Sequence, residues 1–195
     1  MIKSIDFYFD FISPYSYLAH KKINIIKKEK NINFNYKPIL VGGLHNLQGI
    51  TAPAFNKPKL KHMIRDCNLI AKKYNFAFIW NSKFPINSLS IMRGYFFVNK
   101  DIKDLYLNLM FDAYWKDNLD IINEEILVTL LKKCKINLDS FLEGIKNIKI
   151  KDKLKNATQK AYNREIFGTP TFVVNNKIFW GQDRLEFALD EYRNS

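Results

Sequence analysis

The spacing of apolar residues changes period repeatedly along this chain, and that alternation restricts its fold more than any other feature. Ser4 to Ile12 alternates and is rich in aromatics, as a strand does. From Pro14 to Lys30 the period lengthens: Tyr17, Leu18, Ile23, Ile25 and Ile26 are spread among lysines, and Pro14 suits a first helical turn. Asn33 to Val41 alternates again, which completes a βαβ opening. The middle of the chain is helical. Leu60 to Tyr74, Ile102 to Tyr114 and Ile126 to Cys134 repeat their apolar residues at helical spacing, the last with Asn123 as a cap. Ser88 or Asn87 opens another helix through Ile91, Tyr95 and Val98, and a long one is predicted over Asp152 to Ile166. After Gly168 the period returns to two. Thr171 to Val174 and Lys177 to Trp180 flank Asn175-Asn176, a two-residue hairpin turn, and Gln182 to Tyr192 closes the chain as a helix.

The predicted order is βαβ, helices, then ββα, an α/β architecture whose sheet is mixed, because a hairpin pairs antiparallel and a βαβ unit parallel. This is the thioredoxin plan, with the thioredoxin-like part at 1–41 and 167–195 and a large all-helical insertion at about 42–166. The chain forms a single unit of 195 residues. In that plan a Cys-x-x-Cys motif occupies the first strand-to-helix turn. Here the four positions are Ser13-Pro14-Tyr15-Ser16, so no disulfide can cycle there.

Several function classes drop out. The net charge is +12, but only five of the 31 cationic residues are arginines and the lysines are scattered, so they read as solvated faces and not as a nucleic-acid surface. No apolar run approaches the ~18 to 20 residues of a membrane span. Ile5 to Ile12 is interrupted by Asp6 and Asp10 and has no cleavage site after it, so no signal peptide is read and the expected compartment is the cytoplasm. Cys67 and Cys134 fall on apolar helix faces and read as buried small hydrophobes. His20, His45 and His62 lack metal-ligand spacing, so no metal is expected, and none has a visible partnership with Ser13. Gly42-Gly43 and Gly49 lack the Gly-Lys-Ser/Thr of a phosphate loop, and there is no Gly-x-Ser-x-Gly elbow.

Ser13 can be read from its position alone in two ways. It is an N-cap followed by proline, or it is a hydroxyl placed at the positive end of a helix, where an anion is stabilised. The surrounding residues resemble a known family. Asp6-Phe7-Tyr8-Phe9-Asp10-Phe11-Ile12-Ser13-Pro14-Tyr15-Ser16-Tyr17-Leu18-Ala19 is similar to the opening of the 2-hydroxychromene-2-carboxylate isomerases, relatives of the kappa-class glutathione transferases in the DsbA-like thioredoxin superfamily. Further similar stretches follow in order: Pro38 with Gly42-Gly43, Lys59 to Asp66, Phe84-Pro85-Ile86-Asn87-Ser88, Tyr114-Trp115, Phe167-Gly168-Thr169-Pro170-Thr171-Phe172 and Phe179-Trp180-Gly181-Gln182-Asp183-Arg184-Leu185.

The resemblance implies glutathione as a bound cofactor, a conjugated carboxylate substrate from aromatic catabolism and a homodimer. It implies that Ser13 hydrogen-bonds the glutathione sulfur, in the turn completed by Pro14 and Tyr15. Pro170 resembles a cis-proline that leaves the backbone of Thr169 to pair with the cysteinyl part. Gln182 and Asp183 suit the γ-glutamyl end, and Lys59 suits a carboxylate. Trp80, Phe84, Asn87, Tyr114 and Trp115 are expected to wall the substrate pocket. The chain departs from the family at Ile50, where many members carry an asparagine that contacts glutathione; either Asn46, Thr51 or Asn56 substitutes, or one contact to the tripeptide is missing. A kappa-like transferase or peroxidase, and a glutathione-binding module without turnover, are the alternatives the resemblance leaves open.

Overall fold

The computed structural model describes residues 3–29 and 32–194. Four strands form a mixed sheet: β1 (Ile5–Phe9), β2 (Phe34–Pro38), β3 (Thr171–Val174) and β4 (Lys177–Trp180), in the spatial order β2-β1-β3-β4. β1 pairs parallel with β2 and antiparallel with β3, and β3 pairs antiparallel with β4. The hairpin turns on Asn175 and Asn176, with φ of 50° and 63°, the left-handed pair that a two-residue turn requires.

β1 is apolar on one face, with Ile5, Phe7 and Phe9, while the other carries Tyr8 and the half-buried Asp6, which pairs with Lys37 and Arg164. On one face Phe7 and Phe9 stack at 5.7 Å, Phe7 stacks on Phe172 at 5.4 Å across the sheet, and Phe9 packs on Phe111 at 5.8 Å. This side is covered by α1 (Pro14–Glu29) and by helices inserted between β2 and β3: α3 (Lys57–Tyr74), α4 (Leu89–Phe97), α5 (Lys103–Trp115), α6 (Glu124–Lys133) and α7 (Leu138–Lys146). On the other face Tyr8 and Val173 pack with Ile39, with Leu44 of α2 (Val41–Gln48) and with Ala161 of α8 (Ile148–Asn163). A single 3-10 turn, Gln182–Arg184, leads into α9 (Leu185–Arg193).

The sequence pattern and the structure differ in four places. The first two strands stop at Phe9 and Pro38, short of Ile12 and Val41, because the chain turns there to start α1 and α2. α2 was not anticipated, since a short helix that begins Val41-Gly42-Gly43 has almost no propensity signal. α7 was also missed, although Asn137 caps it by accepting from the Ser140 N–H at 3.1 Å. α8 starts at Ile148 and not at Asp152, because Asn147 supplies an earlier cap, accepting from Lys149 N–H at 2.9 Å. Lys30, the expected end of the first helix, lies outside the described residues. The Asn123 cap is present, at 3.2 Å from Ile126 N–H.

Among the described residues, no helix is long and apolar enough to cross a membrane. Both cysteines are buried and unpaired, and burial raises the Cys67 thiol far above its ordinary range.

The insertion helices approach one another closely at Gly94. A Cβ there would run into the Tyr106 hydroxyl, which donates to the Ile91 carbonyl at 2.8 Å, and into the Phe141 ring. Gly94→Ala is therefore expected to cost about 1–3 kcal/mol by overpacking, read as a lowered midpoint in thermal denaturation.

Candidate active site

β1 ends under the site. Its next residue, Asp10, is fully buried; one carboxylate oxygen accepts from Ile12 N–H at 3.1 Å and the other from Val41 N–H at 2.9 Å. The Ser88 hydroxyl also hydrogen-bonds this carboxylate. The Asp10 carbonyl accepts from the Ser13 N–H at 3.1 Å, so the turn carrying Ser13 is held from both ends of one residue.

Ser13 is only 8% exposed and caps α1: its Oγ accepts from the Ser16 N–H at 3.2 Å. Its proton goes to the Thr169 carbonyl at 3.0 Å, across 156 residues of chain. The Thr169–Pro170 bond is cis. Both readings of Ser13 thus describe the same atom. The oxygen caps the helix and the proton lies at the cavity, where a better acceptor can draw it from the Thr169 carbonyl. Thr169 also carries a buried side-chain hydroxyl with no partner among the described residues.

The cavity has a volume of about 1180 Å³, above the ~300–1,000 Å³ of an ordinary small-molecule site. Four helices begin on it: α1 through Ser13 and Pro14, α2 through Val41 to Gly43, α3 through Pro58 and Lys59, and α4 through Asn87 and Ser88. None of the four has an acidic residue in its first turn, and among the described residues no Asp or Glu lines the cavity. Each helix start carries about half a positive charge in unpaired N–H groups. With Lys59 on the wall, the cavity is built for an anion.

Seven expected site residues therefore line one cavity: Ser13, Pro14, Tyr15, Lys59, Phe84, Asn87 and Thr169. Tyr15 donates to Asp66 at 2.9 Å, and burial, before any neighbour, keeps its phenol protonated. Of the substitutes for the missing asparagine, Asn46 and Thr51 line the cavity, while Asn56 is occupied capping α3, 3.1 Å from Lys59 N–H. Ile50 is 48% exposed at the rim, near Phe55, Phe167 and Trp180.

Three expected pocket residues stand behind the wall and not on it. Trp115 and Tyr114 are fully buried. Trp115 donates to the Phe11 carbonyl at 2.8 Å, and Trp80 packs between it and Phe84 at 5.6 and 4.9 Å. They support Phe84, the one aromatic of that group that reaches the cavity. Pro170, Gln182 and Asp183 are also absent from the lining. Gln182 accepts from Lys22 at 2.7 Å and Asp183 pairs with Arg184 at 2.8 Å, just beyond the lining residue Trp180. Conversely, His45 and His62, for which the sequence offered no partner, both face the cavity, and burial lowers the pKa of His45. Asp10 and Ser88 were missed as well, because their proximity is purely tertiary.

Residues 4–193 match the family described as the DSBA-like thioredoxin domain. The chain belongs to the DsbA-like thioredoxin family. Within that family it is 29% identical to a 2-hydroxychromene-2-carboxylate isomerase of Sphingobium xenophagum, over 98% of both chains. It is 24% identical to glutathione S-transferase kappa 1 of Homo sapiens, over 94% of this chain and 88% of that one. A solved 2-hydroxychromene-2-carboxylate isomerase has the same fold, with a TM-score of 0.87 over 97% of this chain and 94% of its own, at 24% identity. The cytosolic disulfide reductase DsbM of Pseudomonas aeruginosa, solved with glutathione, shares the fold at a TM-score of 0.66, at 13% identity over 98% and 96% of the two chains.

Burial outweighs the hydrogen bonds at Asp10 and lifts its pKa from 3.8 to about 6. A group raised in the folded state favours folding below its unfolded pKa, and this contribution is lost as the pH rises through the folded value. A shift of this size corresponds to about 3 kcal/mol. Asp10→Asn cannot ionise, so its stability relative to the parent is expected to improve by up to about that amount between pH 4 and pH 7, measured by urea denaturation at both.

Proposed function

We propose that this protein is a glutathione-dependent isomerase of 2-hydroxychromene-2-carboxylate or a similar conjugated aromatic acid. The observation that carries the reading is the Ser13 hydroxyl, 3.0 Å from the carbonyl before a cis-proline, in a carboxylate-free cavity onto which four helices open. Glutathione brings a thiol and two carboxylates, and such a cavity fits it. Lys59 and the N–H groups that the caps leave open at the helix starts would hold the carboxylates, and Ser13 would face the sulfur. The volume leaves room for a second, flat molecule against Phe84 and Met63.

When bound, glutathione supplies a thiolate that adds reversibly to the conjugated substrate, so that a double bond becomes single, turns and re-forms. The chain's own task is to keep the sulfur ionised and the substrate in place. A free thiol has a pKa of about 8.5, and bringing it to about 7 takes roughly 2 kcal/mol. One hydrogen bond to a charged group contributes ~1.5–3 kcal/mol, and a helix N-terminus ~0.3–2. Ser13 and α1 together are sufficient without a general base for the thiol. The hydrogen bond that the Ser13 hydroxyl now donates to the Thr169 carbonyl is the one it would redirect, and the backbone of Thr169 would then be free to take up the cysteinyl part of the tripeptide. Gln182 and Asp183, beside the rim, would serve the γ-glutamyl end once Asp183 exchanges Arg184 for an ammonium.

The reading places the protein in the cytoplasm, where reduced glutathione is abundant, and as a homodimer. The rim residues Phe55, Ile50, Phe167 and Trp180 are the apolar surface that association would cover. The exposed rim also favours a second reading, a kappa-like transferase that takes apolar electrophiles. The two separate on one assay: loss of chromene absorbance with catalytic glutathione marks the isomerase, whereas stoichiometric glutathione consumption with chlorodinitrobenzene marks the transferase.

Ser13→Ala is expected to keep the fold and lower turnover roughly 10- to 100-fold at pH 7, with a matching loss of bound-thiolate absorbance. Unchanged turnover removes Ser13 from the mechanism. Restoring the missing contact by Ile50→Asn is expected to tighten glutathione binding roughly 2- to 10-fold, measured by calorimetry.

A further inference from the structure

Thiol chemistry leaves one requirement of the proposed reaction unmet. A 2-hydroxychromene-2-carboxylate is a cyclic hemiketal. Opening its ring takes a proton from the hydroxyl and gives one to the aryl oxygen. We propose that Ser88, backed by the Asp10 carboxylate, is the proton-transfer residue that opens and closes that ring; the assignment rests on the isomerase reading above.

Four observations lead to this pair. Ser88 lines the cavity, yet it is only 3% exposed, so its hydroxyl sits in the wall and not in bulk water. It occupies the N-cap position of α4 but makes no side-chain cap bond; Asn87 does that work, accepting from Leu89 N–H at 3.0 Å. The Ser88 hydroxyl is turned instead to Asp10. Asp10, finally, is completely buried, and the groups acting on its carboxylate are hydrogen-bond donors with no cation among them. An asparagine could accept a backbone N–H at the start of α2 without burying a charge. An ionisable group in that place, linked to the cavity by a hydroxyl, has the form of an acid–base relay.

The step balances within the protein and substrate. Ser88 Oγ takes the proton of the hemiketal hydroxyl while its own proton passes to Asp10. The hemiketal carbon–oxygen bond becomes a carbonyl, and the ring carbon–oxygen bond breaks with its electron pair on the aryl oxygen. The proton then returns from Asp10 through Ser88 to that oxygen. The chain ends as it began, and nothing is oxidised or reduced.

The carboxylate's pKa of about 6 suits the direction, since it is ionised at pH 7 and close enough to accept a proton transiently. The titratable groups on the elements around it are Asp6 and Tyr8 on β1, Tyr15, Tyr17, His20, Lys21, Lys22, Lys27, Lys28 and Glu29 on α1, Tyr36 and Lys37 on β2, His45 on α2, and Arg93 and Tyr95 on α4. His45 lines the same cavity and burial lowers its pKa, so a test must separate it from Asp10.

The experiment compares Ser88→Ala, Ser88→Thr, Asp10→Asn and His45→Asn on two substrates. One is the hemiketal; the other is the open-chain 2-oxo acid with its phenol O-methylated, which cannot cyclise. Ser88→Ala is expected to lose about 100-fold in kcat on the hemiketal. It is expected to keep its bound-thiolate absorbance and its rate on the methylated acid, which also establishes that it is folded. Ser88→Thr restores most of the loss. Carbon-13 titration of the aspartates is expected to find a buried carboxyl near pH 6 that disappears in Asp10→Asn, persists in His45→Asn and shifts in Ser88→Ala. Hemiketal turnover by Ser88→Ala within twofold of the parent overturns the assignment alone, as does an equal loss on both substrates. A parent protein inactive on both substrates overturns the isomerase reading and the assignment with it.

Discussion

The buried Asp10 carboxylate is the group on which the cavity's shape depends. It receives the turn that presents Ser13, the first N–H of α2 and the hydroxyl before α4, so three walls from distant parts of the chain are referred to one residue. Hydrogen bonds to a carboxylate are stronger than those between neutral groups, and they are directional. Apolar packing alone would let these walls slide against one another by fractions of an ångström. The cost of burying the charge is visible in its raised pKa, and a fold that only needed a cap could avoid it.

The cavity's electrostatics arise from topology more than from charged side chains. β1 and β2 run parallel, so the helices that follow them, α1 and α2, start at the same end of the sheet. The insertion brings the starts of α3 and α4 to that end as well. α5, α6, α7 and α9 each carry an acidic residue in the first turn, the common way to satisfy a helix dipole. The four helices that open on the cavity carry none of their own: the Asp10 carboxylate takes the first N–H of α2, and Ser13, Asn56 and Asn87 take one N–H each of α1, α3 and α4, so only the remaining N–H groups are left to a ligand. Of the aromatic side chains expected to wall the pocket, Trp80, Tyr114 and Trp115 instead brace it from behind; among them Trp115 holds the Phe11 carbonyl in the turn before Ser13.

Legibility followed the range of the interactions. Period-two and helical spacing are local, and they located all four strands, α1, the long insertion helices and α9. α2 and α7 were not legible because α2 opens with two glycines and is capped by a residue 31 positions away, and because α7 is short. Ser13, Thr169 and Lys59 were legible through the motifs they sit in. The depth of Trp80, Tyr114 and Trp115 was not, since an aromatic on a helix has the same spacing whether it meets a ligand or a neighbouring ring. His45 and His62 were set aside for lack of a sequence partner, and only the folded chain brings them to one cavity.

The sequence by itself determined the order of strands and helices, the absence of a redox pair at the first turn and the hydroxyl that replaces it, because each is carried by residues close together in the chain. The tertiary structure decided which side chains face the cavity, where the Ser13 proton rests and that Asp10 and Ser88 meet. Those facts depend on contacts between residues dozens to more than a hundred positions apart, and nothing in the local pattern encodes the distance between them.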